Sequence, residues 1–230
     1  NLLLLLYIKM CKESEKIIVL CYTEYGDNMT KKDVKWIRQN RDTIFFVLAG
    51  FVLFILLLVL YLTGFYRSID SFMASFVLTI RSPFLTTILL LISNLIGTYF
   101  IAIPLFLIIL LLKFRHRLSE LPAIIVSLVA VNGFGFSLKT FFHRMRPVFD
   151  LVTETGYSFP SMHTYNGVMI YGILILILKR YYPSSWYRNG AIVLFVILMF
   201  LTGFSRIYLS VHYTSDVLTG FALGLISLGV

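Results

Sequence analysis

Six apolar runs, divided by short loops that collect almost all the positive charge, constrain this chain more than any other feature. About 20 consecutive apolar residues make a helix long enough to cross a hydrocarbon core about 30 Å thick, because each residue adds about 1.5 Å. Such runs lie near residues 43–65, 84–112, 121–142, 164–178, 191–204 and from 216 to the end. The second is long enough to be tilted or interrupted near Gly97, and the fourth and fifth are short. In lipid every backbone amide and carbonyl must find its partner inside the chain, so the runs imply helices. The expected fold is all-α, a polytopic membrane helix bundle of about six transmembrane helices. Composition agrees: of 230 residues, 59% are hydrophobic and 13% charged, and mean hydropathy is +0.88, against roughly 45–50% apolar in soluble domains.

The formal charge of +9 and pI of 9.6 would suit a nucleic-acid partner. The cations instead sit between apolar runs rather than along one polar surface, so no nucleic acid is expected and the bilayer itself is the partner. Lys31, Lys32, Lys35, Arg38 and Arg41 precede the first run; Lys113, Arg115 and Arg117 follow the second; Lys179, Arg180 and Arg188 follow the fourth. Placing all three groups in the cytoplasm gives a multi-pass cell-membrane protein with its N-terminus inside. Loops 66–83, 143–163 and 205–215 then face outward. Residues 1–28 read as an N-terminal extension, since "NLLLLLYI" is too short to span and lacks the flanks of a signal peptide. Met29 reads as a start, and 29–230 as one six-span domain. Its last apolar segment, roughly 14 residues from Asp216, falls short of a span and reads as a truncated helix. Cys11 and Cys21 lie within the first 28 residues, which excludes a cysteine metal site or disulfide framework from the main body.

Cations and histidines in the outward loops fall into three groups. In "KTFFHRMRP", Lys139 and Arg146 are seven residues apart and share a face if the helix continues, which would make an anion site. Arg144 and His143 fall on other faces and read as interfacial cations. In "YSFPSMHTYNG", Pro160 forces extended chain before it, so a helix begins at Ser161, where unpaired N–H groups and the positive dipole end favour a phosphate. His163 would sit beside that phosphate. In "SRIYLSVHYTSD", the four-residue step from His212 to Asp216 lets a carboxylate orient the imidazole, and Arg206 adds a two-pronged donor for phosphate oxygens. Each group alone has an ordinary structural explanation: snorkelling lysine, helix cap, surface His–Asp pair. Together they gather three cations, two histidines, one aspartate and one helix start on one side of the membrane. "GFALG", at Gly220 to Gly224, has the small-residue spacing that packs membrane helices, more often within a chain than between chains.

These residues resemble the three-part signature of the type 2 phosphatidic acid phosphatase superfamily, K-x6-RP, PSGH and SR-x5-H-x3-D. Lys139 with Arg146-Pro147, Pro160-Ser161-Met162-His163, and Ser205-Arg206 with His212 and Asp216 supply it in order and spacing. The resemblance implies a membrane lipid phosphatase in which Lys139, Arg146, Ser161, Met162 (through its N–H) and Arg206 hold the phosphate. His212, oriented by Asp216, would attack phosphorus to give a phosphohistidine, and His163 would protonate the leaving oxygen. No cofactor or metal is called for. Asp150 and Glu154, the other nearby acids, lack the clustering of a hard-cation site and read as head-group neighbours. Met162 replaces the family glycine, so its side chain is expected to narrow the site. Among the lipid substrates of such enzymes, undecaprenyl pyrophosphate is expected from topology, with phosphatidic acid and phosphatidylglycerophosphate as alternatives. A non-enzymatic transporter of lipid phosphate or anions, or an inactive homologue blocked by Met162, would use the same residues differently. Oligomeric state is not legible.

Overall fold

The computed structural model describes residues 40–97, 100–148 and 151–229. The extension at 1–28, the cations at 31–38 and Asp150 lie outside the described residues. The chain divides into two units, Asn1–Phe45 and Phe46–Val230. Of the first, only residues 40–45 are described, where Arg41 and Asp42 open a helix. The second carries every motif.

The helices are α1 (Arg41–Leu62), α2 (Tyr66–Thr79), α3 (Pro83–Ile96), α4 (Ala102–Phe114), α5 (Leu121–Phe142, entered through a 3-10 turn), α6 (Met162–Tyr181), α7 (Trp186–Tyr208) and α8 (Thr214–Ser227). No strand occurs among the described residues. α1, α5 with its leading turn, α6 and α7 are long and apolar enough to cross a membrane, and α3, α4 and α8 are shorter apolar helices. The all-α membrane bundle expected from the sequence is the observed fold.

Three boundaries differ from expectation, each for a physical reason. The 84–112 run is two helices, because Gly97 turns extended after α3 and caps it with an N–H bond to the Asn94 carbonyl (2.9 Å). The segment 66–83, expected as an outward loop, is largely α2, whose Met73 and Val77, followed by Ile80 at its C-cap, recur at helical spacing and put one apolar face inward. α6 and α7 are longer than their apolar runs because they contain polar residues near their ends: His163, Lys179 and Arg180 in α6, Ser205 and Arg206 in α7.

α6 is the hub. Thirteen of its residues are buried, and α7 and α8 pack on it. Two glycines let α8 approach: a Cβ on Gly220 would stand 2.8 Å from the Ser161 carbonyl oxygen, and one on Gly224 would stand 2.6 Å from Val168 Cβ. The small-residue spacing therefore serves packing within the chain. That contact brings the start of α6 against the start of α8, where the motifs meet.

Candidate active site

α5 ends at Phe142 because His143 adopts a left-handed backbone (φ 47°) and donates its N–H to the Lys139 carbonyl. Pro147 in turn disfavours helix at Arg146. The shared helical face expected for Lys139 and Arg146 is therefore not formed. The two cations converge by another route, through the loop before α6. Lys139 Nζ donates to the Tyr157 carbonyl, while Arg146 donates from Nε to Gly156 O (3.0 Å) and from Nη2 to Thr155 O (3.1 Å). Arg146 Nη1 reaches Val211 O (2.8 Å) and lies 3.3 Å from His212 Nε2.

The chain enters α6 through the Phe159–Pro160 bond, which is cis. Ser161 holds the N-cap position, but its hydroxyl does not accept from a helix amide. It accepts instead from Thr164 Oγ1 (3.0 Å), and the Ser161 N–H donates to the Asp216 carbonyl (3.2 Å). This backbone bond ties α6 to α8. The Met162 side chain lies against α5, with its sulfur 2.3 Å from where a Cβ on Gly135 would stand. It is thus directed into a notch that only glycine leaves open. His163 follows on the first turn, within the fields of Arg206, Glu154, His212 and Arg146.

Arg206, buried on α7, donates from Nη1 to Ser93 Oγ of α3 (2.8 Å) and from Nη2 to Glu154. Glu154 Oε2 also lies 3.7 Å from Arg146 Nη2. Burial would raise the Glu154 carboxyl, but Arg206, His163 and Arg146 outweigh it and hold it below its usual range. The turn after α7 returns the His212 N–H to the Arg206 carbonyl (3.3 Å). His212 is buried, and burial pushes its imidazole down to about 4 although Asp216 opposes the shift; Arg206 and Arg146 add to it.

The His212–Asp216 pair also forms differently from the helical step expected. His212 precedes α8, and Asp216 folds back over the helix start, its Oδ2 accepting the Tyr213 N–H (3.0 Å) in a capping box. That places Oδ2 3.7 Å from His212 Nδ1. Arg146 can donate to Nε2 only if that nitrogen carries a lone pair, which assigns the ring proton to Nδ1, facing Asp216.

The structure thus gathers Lys139, Arg146, Ser161, Met162, His163, Arg206, His212 and Asp216 at one end of the bundle. It adds residues that sequence reasoning missed. Ser93 and Asp70 were legible only as polar side chains inside otherwise apolar helical faces. Arg144, expected to be an interfacial cation, is half-buried and bridges the buried carboxylates of Asp70 and Asp216. An apolar cavity of about 320 Å³ adjoins this end, lined by Leu58, Tyr61, Ile69, Phe142, Phe159 and Leu218 together with Arg144 and Ser215.

Residues 120–230 match the PAP2 superfamily model. Phosphatidylglycerophosphatase B of Bacillus subtilis (strain 168) is 32% identical over 179 residues, covering 76% of this chain and 88% of that protein. The chain belongs to the PAP2 superfamily. Its fold is similar to the crystal structure of a transmembrane PAP2 type phosphatidylglycerolphosphate phosphatase from Bacillus subtilis, with a TM-score of 0.68 and 28% identity over 78% of this chain and 92% of that one. Aquifex aeolicus LpxE shares the fold at a TM-score of 0.53 and 24% identity, over 72% of this chain and 91% of that one. A third relative, bacitracin transport permease protein BcrC of Bacillus licheniformis, is 32% identical over 135 residues, 56% of this chain and 62% of that protein. As a PAP2-type membrane phosphatase, this multi-pass chain is a hydrolase of lipid phosphates.

Proposed function

We propose that this phosphatase hydrolyses a lipid phosphate at the extracytoplasmic face through a phosphohistidine on His212. The single observation that carries the reading is the place of the His212 ring, with Arg146 Nη1 3.3 Å from Nε2 and the Asp216 carboxylate 3.7 Å from Nδ1. The lone pair therefore points to the cationic side, where a phosphate would be held. Nε2 attacks phosphorus, and the bond from phosphorus to the lipid oxygen breaks. The leaving oxygen takes its proton from His163. Water then attacks the phosphohistidine while His163 accepts a proton from it, releasing inorganic phosphate and restoring His212. Lys139, Arg146, Arg206, Ser161 and the amides opening α6, that of Met162 among them, neutralise the charge that develops on the phosphoryl oxygens. Depressed basicity serves the nucleophile, because a protonated imidazole has no lone pair to give.

Glu154 already lies on two of the guanidinium groups assigned to the phosphate, so substrate binding exchanges one anion for another on Arg206. The cavity beside Phe142 and Phe159 offers apolar room for a lipid chain. The outward-facing site rests on the charge pattern of the loops. Phosphatidylglycerophosphate is the substrate favoured by the similarity to phosphatidylglycerophosphatase B, which extends over most of both chains. Undecaprenyl pyrophosphate, expected from topology, and phosphatidic acid are the competing substrates. The likeness to a protein named as a transport permease supports a second reading, binding without hydrolysis.

Phosphate release by the purified protein from each of the three lipids, in chelator, tests these readings. The proposal expects turnover that is greatest with phosphatidylglycerophosphate and absent in His212→Ala. Full turnover in His212→Ala, or a requirement for added divalent metal, would overturn the mechanism. A clear preference for undecaprenyl pyrophosphate or phosphatidic acid would reassign the substrate.

A further inference from the structure

Arg144 lies outside the residues assigned to phosphate and yet is among the most fully engaged cations at this end of the bundle. Its Nη1 donates to Asp216 Oδ1 (2.6 Å) and Ser215 Oγ (2.7 Å), and its Nη2 to Asp70 Oδ2 (2.8 Å). Asp70, buried on α2, accepts the Ser215 N–H on Oδ1 and the Ser215 hydroxyl on Oδ2, both at 2.8 Å. The Tyr213 ring lies 4.2 Å from the guanidinium carbon and that of Tyr66 5.6 Å. The planar fork is therefore fixed at both prongs and over its face, an arrangement that guanidinium geometry permits and a lysine ammonium does not.

We propose that Arg144, anchored by Asp70, is a positioning residue for the hydrolytic reaction, setting the orientation of Asp216 and, through Asp216, of His212. The inference rests on the functional reading above and extends it to α2. Asp216 is wholly buried, and its two oxygens have separate tasks. Oδ2 meets the Tyr213 N–H and faces His212 Nδ1, whereas Oδ1 has Arg144. A carboxylate held on one oxygen alone can swing about its side-chain torsions. The Arg144 bond to the other oxygen fixes the plane in which Oδ2 addresses the imidazole. Arg144 also offsets part of the Asp216 charge and so weakens its hold on a proton at His212. The charged and titratable groups facing His212 are Asp216 from α8, Arg206 from α7, His163 from α6 and Arg146 from the loop before α6. Of these groups Asp216 favours the imidazolium, so whatever tempers Asp216 helps keep the nucleophile neutral. Contact with α2 thereby becomes a condition for a well-aimed His212.

The test is steady-state hydrolysis of phosphatidylglycerophosphate micelles across pH, using the full chain and the variants Arg144→Gln, Arg144→Lys, Asp70→Asn and Asp70→Asn with Arg144→Gln. Small displacements of a catalytic group cost about 100-fold. Arg144→Gln is accordingly expected to lower kcat about 100-fold with KM within about threefold, and to move the acid limb of kcat/KM upward by about one pH unit. Arg144→Lys should recover part of kcat. The double variant removes both members of the Asp70–Arg144 pair and leaves no stranded carboxylate on α2. It should stay as slow as Arg144→Gln, whereas recovery would mean that Arg144 merely neutralises Asp70 and would overturn the proposal. A rise in KM at unchanged kcat would make Arg144 a head-group contact instead, and would overturn it too. Should Arg144→Gln not fold, Asp70→Asn decides: about a tenfold loss in kcat with an upward-shifted acid limb supports the proposal, and wild-type behaviour refutes it. Turnover by the wild type in the same assay separates the two claims. If the wild type hydrolyses none of the three lipids, the functional reading falls and this inference with it.

Discussion

α5 and α6 both deliver site residues to the same end of the bundle, but they are held by opposite surroundings. In its most apolar stretch α5, with its leading turn, is 6% buried, and α6 is 67% buried. Among the described side chains of α5, Gly135 alone is buried, and it receives Met162 from α6. One further polar clasp joins the pair, Asn132 and Asn166 exchanging amide hydrogen bonds of 3.0 and 3.1 Å. The more buried helix is also the less apolar. A helix facing lipid must be apolar around most of its surface, whereas one enclosed by protein can carry His163, Thr164, Tyr165 and Asn166 in a row. Low apolarity in a spanning run thus marks the interior of the bundle and the place where chemistry is held.

The largest effects should separate enclosed from peripheral cations. Arg206→Ala, which empties a buried place between Ser93 and Glu154, should lower kcat/KM by about a thousandfold, and Lys139→Ala by about a hundredfold. Equal losses would mean that enclosure adds nothing to the hold of a cation on the phosphate. Next, Gly135→Leu should force Met162 out of its notch and destabilise the protein by about 1–3 kcal/mol, read as a lower thermal midpoint in detergent. Met162→Ala in the same chain should return most of that loss, and no recovery would mean that the α5–α6 seam is held elsewhere. Glu154→Gln has the opposite sign. Removing a carboxylate that competes for Arg206 should lower KM for the lipid phosphate about threefold, the scale of a partly exposed ion pair. A higher KM would show Glu154 holding the head group instead. The smallest change is with pH. Because burial holds the His212 imidazole down to about 4, the nucleophile stays neutral as pH falls from 7 to 5. Glu154, also held low, stays ionised over that range. The limb of kcat/KM that His212 protonation sets should therefore be centred near pH 4; a His212 limb centred near 6.5 would show that its environment relaxes in lipid.

The bundle was legible because lipid imposes one rule on every spanning run, and six runs sorted by loop charge leave little topological freedom. The site was legible as residue types and spacings, since Lys139, Arg146, Ser161, His163, Arg206, His212 and Asp216 do come together. The means of convergence were not legible. Lys139 and Arg146 meet through the carbonyls of 155–157 and not along a helix, and Asp216 meets His212 through a capping box. The first depends on where α5 stops and the second on where α8 starts, and a left-handed His143 or a proline-restricted Arg146 gives only a weak signal of the former. Arg144 and Asp70 were hidden for a related reason. Their pairing is 74 residues apart in sequence, and each side chain alone resembles an ordinary interfacial charge. Met162 stood out as a departure from the family pattern, but its partner was a glycine 27 residues away, visible only once α5 and α6 were packed.

A covalent intermediate on His212 would be revealed by the stereochemical course at phosphorus. A lipid phosphate made chiral with oxygen and sulfur isotopic labels would be hydrolysed by the wild-type protein in chelator and the configuration of the released thiophosphate determined. Two in-line displacements, onto His212 and then onto water, predict net retention. Net inversion would mean a single direct attack by water and would contradict the account.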